Sequence, residues 1–223
     1  MILVVESSAD FPSVALVNAS SRSVEWKIES SDKQSHSELL PVQVNHALLF
    51  AKDNGLKIEA LAINLGPGSY TGLRIGVSLV KGLALGLEVP VIGINGIEAM
   101  GKWMLSDNPQ INIALAMIDA RRNEVYLSLC SSNGLHTAAE PFILTPNAFA
   151  FFANHFGFIG NSNEKAVRIL GINPAFSVFG PYAWMYAEAC CAKFEKGEFL
   201  DLAYFEPDYL KEFKATEGKK FVL

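Results

Sequence analysis

Gly66-Pro67-Gly68-Ser69-Tyr70-Thr71-Gly72-Leu73-Arg74-Ile75-Gly76 stands between two strongly patterned stretches. Ile58–Leu65 before it is an apolar run that reads as a buried strand. Leu73–Leu87 after it reads as a core helix, stopped by Pro90. A strand, a glycine-rich turn and a helix in that order put backbone N–H groups where they could hold an anion. The segment nevertheless fails both named phosphate patterns. A Walker A loop ends in Gly-Lys-Ser/Thr, where this chain has Gly72-Leu73-Arg74. A dinucleotide fingerprint needs a third glycine where Thr71 stands. Ser69 lacks the Gly-x-Ser-x-Gly context of a nucleophile elbow. Gly72 and Gly76 lie four apart, as do Gly82 and Gly86, and on a helix each pair makes a flat patch. Each glycine costs about 1 kcal/mol against alanine. Internal packing of helix on sheet, or a helix–helix contact with another chain, would offset that cost. The second is the expectation.

Outward from this segment, the chain opens with a strand at Ile2–Val5, a polar turn Glu6-Ser7-Ser8-Ala9-Asp10, and a strand at Ser13–Asn18. A third strand alternates Val24, Trp26 and Ile28 against charged neighbours. Ser35 with Glu38 three residues on fits a capping box. Leu40, Val44, Ala47, Leu48 and Ala51 repeat at helical spacing. Leu39, Val42 and Phe50 spread beyond that stripe, which implies a second buried face. Pro41 is tolerated only near a first turn, which moves the expected start later, and Asn54-Gly55 ends the helix. With Val91–Ile94 as the next strand, the first half reads β-β-β-α-β-α-β and implies a mixed sheet.

The second half is a fainter copy. Ile111–Ile118 and Glu124–Cys130 read as paired strands around Asp119–Asn123. Helices are expected at Pro146–Phe156 and Tyr182–Lys196, with a short strand Phe158–Gly160 between them. The boundary falls in Gly101–Asn112, which gives an N-terminal lobe 1–102 and a degenerate C-terminal lobe 103–223. This is the plan of the actin-like superfamily (ASKHA, RNase H-like), a two-lobed α/β fold with mixed sheets. Such an analogy supplies no function.

At 223 residues a chain can bury roughly 70–75% of its unfolded surface. Half the residues are hydrophobic and 18% charged, which excludes general disorder. A net charge of −5 argues against a broad nucleic-acid surface. Cys130, Cys190 and Cys191 form no metal-ligand spacing and suit a reducing compartment. The start MILVVESS is not a secretory signal, and Leu73–Leu87 is too short and too charged to span a membrane, so a soluble cytoplasmic protein is expected. His36, His46, His136 and His155 are scattered, with His36 supporting a helix start. Glu6, Ser7, Ser8 and Asp10 form either a plain turn or a nucleotide-proximal one. Asp119, Arg121, Arg122 and Glu124 form either a mutually paired hairpin or a partner- or RNA-proximal edge. Gly160-Asn161-Ser162 is a helix-cap signal at the place of a second nucleotide loop.

The glycine segment, His36–Pro41 (HSELLP), Asp119–Tyr126 (DARRNEVY) and Pro207–Lys211 (PDYLK) together resemble the TsaB (YeaZ) family, from Ile2 to about Lys211. The family has Phe in place of Tyr70, Arg in place of Lys211, and Asp-Thr in place of Glu6-Ser7. The resemblance implies a non-catalytic subunit that pairs with a catalytic paralogue, TsaD. With the ATPase TsaE, that assembly transfers a threonylcarbamoyl group to a tRNA adenosine. It implies no intrinsic cofactor, ATP or ADP only at the level of the complex, tRNA only through the complex, and a homodimer when TsaD is absent. The implied interface lies on the two helices and takes in Leu39, Val42, Phe50, Tyr70, Thr71, Gly72, Arg74, Ile75, Gly76 and Leu79. The paralogue's His-x-x-x-His metal motif aligns here with Gly96 and Met100. Glycine offers no ligand, and a thioether suits a hard cation poorly, which weighs against the alternative reading, an autonomous actin-like ATPase or metallohydrolase.

Overall fold

In the computed structural model, which describes residues 1–30, 36–146, 148–149 and 156–210, two five-stranded mixed sheets carry the chain. β1 (Ile2–Glu6), β2 (Ser13–Val17), β3 (Val24–Glu29), β4 (Ala60–Gly66) and β5 (Val91–Asn95) form the first, in the order β3-β2-β1-β4-β5. β1 runs antiparallel to β2 and parallel to β4. β6 (Ile113–Asp119), β7 (Glu124–Ser131), β8 (Glu140–Ile143), β9 (Phe156–Gly160) and β10 (Phe176–Val178) form the second, in the order β10-β9-β6-β7-β8.

The two-residue period of the central strands divides the first sheet into two apolar faces. Leu3, Val5, Leu61 and Ile63 pack under α1 (His36–Asp53) and α2 (Tyr70–Leu87), against Leu40, Val44, Ala47, Val77 and Val80. On the opposite face, Ile2, Val4, Ala62 and Ile92 meet α3 (Gly96–Asp107) and the Ala114, Ala116 and Ile118 face of β6. One core therefore runs through both sheets. α4 (Asn163–Leu170) closes the far side of the second sheet on Leu115, Met117 and Phe158.

α1 begins at His36, so Pro41 lies inside it rather than at its first turn. The capping box on Ser35 lies outside the described residues. α2 begins three residues before Leu73, because Ser69 takes the cap position and its hydroxyl accepts from Gly72 N–H at 3.3 Å. It ends at Leu87, ahead of Pro90, with Glu88 left-handed at φ 55. The expected boundary stretch Gly101–Asn112 overlaps the buried helix α3, which runs Gly96–Asp107 and is capped by Asn95 accepting from Glu98 N–H. Most of the helix expected at 146–156 lies outside the described residues, and Phe156 opens β9. The expected helix 182–196 divides into a 3-10 turn (Ala183–Tyr186) and α5 (Ala187–Lys196).

After α5 the chain returns to the first sheet. Leu200 N–H donates to Val91 O at 2.8 Å, Phe205 enters the core beneath α2, and Asp208 N–H donates to Leu65 O at 2.7 Å. Arg22, at φ 60, reaches from the first sheet to Glu188 and Glu195 of α5.

Candidate functional site

The glycine segment decides what the site is. A Cβ on Gly72 would lie 2.0 Å from Ser7 O, and one on Gly76 would lie 2.1 Å from Ser7 Oγ and 3.1 Å from Ile63 Cδ1. Both glycines are buried against the β1–β2 turn. Their expected place in a partner-facing patch is therefore corrected: they let α2 approach β1 closely, which is the internal-packing use. The second pair behaves in the opposite way. Gly82 and Gly86 are exposed, with nothing within 4 Å of an added Cβ.

Glu6 and Ser7 are fully buried and do not reach solvent, while Ser8 and Asp10 line a cleft. The Glu6 carboxylate accepts from the Tyr186 hydroxyl and from Ser8 N–H, and from Asn64 Nδ2 at 2.7 Å. Asn64 also donates to Ser8 Oγ at 2.9 Å, and its Oδ1 accepts from Gly66 N–H at 2.9 Å and Gly96 N–H at 3.0 Å. Burial and the adjacent Glu6 push the Tyr186 phenol well above its ordinary value, so it stays a donor. Asn64 and Tyr186 were not singled out from sequence. The available signal was Asn64, a polar residue inside the apolar run of β4.

The cleft, about 1030 Å³, lies between the β1–β2 turn and the start of α2 on one side and the β6–β7 turn on the other. Tyr209 lines the cleft, its ring tilted by 36° against Tyr70 with centroids 4.7 Å apart and its hydroxyl accepting from Arg74 Nε at 3.0 Å. Arg74 also lies over the Tyr70 ring at 4.0 Å. In the β6–β7 turn, Asp119 pairs with Lys165 at 2.9 Å and accepts from Arg121 N–H at 2.6 Å. Its carboxylate is thus engaged away from both arginine side chains, against the expectation of mutual pairing.

Of the remaining helix-face residues, Thr71 and Arg74 are exposed and Leu39, Ile75 and Leu79 are half-buried. Phe50 packs tilted against Trp26 with centroids 6.1 Å apart, which turns it toward β3. Val42 is 51% and Leu49 46% exposed on α1, and Leu85 is 72% exposed on α2. His36 Nε2 donates to Ala9 O at 2.6 Å and ties α1 to the β1–β2 turn. Gly96 and Met100 are buried in α3, and a Cβ on Gly96 would lie 2.3 Å from Asn64 Nδ2. Among the described residues, no group of three His, Cys, Asp or Glu side chains could hold a metal. No described helix is long and apolar enough to cross a membrane.

Two packed mixed sheets with a cleft between their β-turns define an actin-like two-lobed protein, and YeaZ from Pseudomonas aeruginosa has this fold at 22% identity. That likeness has a TM-score of 0.76 and covers 94% of this chain and 99% of the other. The family described as TsaD, tRNA N6-adenosine threonylcarbamoyltransferase, matches residues 28–220, and the chain belongs to it. Two of the relatives it matches are named TsaB. The tRNA threonylcarbamoyladenosine biosynthesis protein TsaB of Escherichia coli K12 is 37% identical over 125 residues, 56% of this chain and 52% of that one. Its counterpart in Haemophilus influenzae is 33% identical over 127 residues, 57% and 52% of the two chains. A tRNA N6-adenosine threonylcarbamoyltransferase of Chlamydia felis is 27% identical over 187 residues, 77% of this chain and 50% of that one. The chain thus spans about half the length of the curated relatives it matches.

Proposed function

We propose that this chain is an accessory subunit of the assembly that makes threonylcarbamoyladenosine on tRNA. It binds a TsaD-type paralogue, works beside a TsaE-type ATPase in the cytoplasm, and carries no reaction centre of its own. The observation that carries this reading is the exposure on α1 and α2: Val42 and Leu49 on α1, and Leu85 with the open Gly82 and Gly86 on α2. Small residues flanked by large apolar ones let a second helix pair approach closely. In the absence of the paralogue the same surface pairs two copies of the chain. ATP or ADP enters only in the assembled complex, and the buried, internally bonded Glu6 argues against an autonomous ATPase.

Alone, the chain is expected to transfer no threonylcarbamoyl group. Mixed with its TsaD and TsaE counterparts and the enzyme supplying the carbamoyl-adenylate, it restores transfer. Val42→Glu with Leu85→Glu should keep wild-type circular dichroism, because both positions are exposed, yet reduce reconstituted transfer at least about 100-fold, since a charge buried in an apolar interface costs several kcal/mol. Transfer by the purified chain alone contradicts the reading.

A further inference from the structure

The β6–β7 turn has features that folding does not explain. Arg121 at φ 71 and Arg122 at φ 49 are successive left-handed residues, a conformation that hairpin turns ordinarily give to Gly, Asn or Asp. Arg22 is also left-handed, but its guanidinium is held by Glu188 and Glu195. Neither Arg121 nor Arg122 forms an ion pair with a described carboxylate, and the nearby Asp119 is taken by Lys165. Both are exposed and line the cleft. In a chain of net charge −5 they make a local cationic point. Asp10, Asp119, Glu124 and Asp208 also line the cleft, so a small anion held within it would meet carboxylates as well as the two arginines, whereas a longer polyanion can reach the exposed arginines from solvent. Arginine's planar fork matches phosphate oxygens two at a time.

We propose that Arg121 and Arg122 grip one or two backbone phosphates of the RNA substrate, so that this chain touches the tRNA directly. The inference rests on the accessory-subunit reading and extends it, since that reading brings RNA in only through the complex.

The test is fluorescence anisotropy of a labelled, unmodified tRNA transcript with the complex of this chain and its TsaD-type partner, from about 50 to about 200 mM salt. Arg121→Gly with Arg122→Gly accepts the positive φ freely, so folding and co-elution with the partner should be unchanged. Binding should weaken roughly tenfold, and the slope of log affinity against log salt should flatten by about 0.7 to about 1.8 for one or two lost contacts. Arg121→Lys with Arg122→Lys should restore most of the slope. A Gly variant with wild-type affinity and slope overturns the proposal. So does a Gly variant that loses calorimetric ATP binding while its tRNA slope is unchanged, which would assign the arginines to a nucleotide. Co-elution of the wild-type pair is scored first. Its failure overturns the subunit reading alone, and the same titration on the full chain by itself then tests the arginines.

Discussion

Replacing Gly76 with leucine is expected to unfold the chain rather than to release a partner. The first added carbon already lies 2.1 Å from Ser7 Oγ, and the next ones have only β1 and Ile63 to enter. Overpacking a tight core costs about 1–3 kcal/mol even where neighbours can shift. Here α2 would have to lift from the central strand and expose Val77 and Val80, against a total stability of about 5–15 kcal/mol. Near-UV circular dichroism should be lost, with little soluble protein. Gly76→Ala is the graded version. Ser7 Oγ is buried without a hydrogen-bond partner among the described residues, so Ser7→Ala removes the closest clash without breaking a described bond, and the double variant should be more stable than Gly76→Ala alone. Gly72→Ala has no such remedy, because its clash is with the Ser7 backbone. Gly82→Ala, with open space around it, should raise stability by up to about 1 kcal/mol. A folded Gly76→Leu protein with a wild-type near-UV spectrum would place the inner glycine face outside.

The second large effect is expected at Asn64. Asn64→Ala removes a donor to Glu6 and Ser8 Oγ and the acceptor for Gly66 N–H and Gly96 N–H, leaving four buried groups short of a partner. Each orphaned group costs about 1–3 kcal/mol, so the loss is at least about 4 kcal/mol. For a chain of this size that lowers Tm by about 10 °C, at about 2–4 °C per kcal/mol. Tyr186→Phe should cost less, about 1.5–3 kcal/mol, because it deletes the bond to Glu6 and the long one from Asn64 Nδ2 at 3.3 Å, and leaves the Asn64 bonds to Glu6, Ser8, Gly66 and Gly96 in place. Thermal melts of the two variants should rank in that order. A Tm within about 2 °C of wild type for Asn64→Ala would mean that the network does not hold the two lobes together.

Most of the first sheet was legible because its strands and helices carry clean periods. Val24, Trp26 and Ile28 alternate, and Leu40, Val44, Ala47 and Ala51 repeat at helical spacing. The second sheet was less so. β8 and β10 are short strands at opposite edges, of four and three residues, too brief for a periodic signal. α3, whose second half falls in the expected boundary Gly101–Asn112, has a blurred pattern: glycines at 96 and 101 stand on its buried side, where large apolar residues would mark a helix. In the candidate site, the glycine spacing pointed to close approach but not to its direction. That direction depends on Ser7, which lies 65 positions from Gly72 in sequence and touches it only in the fold. The Glu6–Asn64–Tyr186 network was illegible for the same reason, since its members meet across 58 and 180 positions.

The most direct measurement of the central claim is size-exclusion chromatography with light scattering, on this chain mixed with its TsaD-type paralogue. A heterodimer that replaces the free species, and that is lost in the Val42→Glu, Leu85→Glu variant, is the predicted result. Separate elution of the two wild-type proteins, or a heterodimer untouched by the two glutamates, would contradict it.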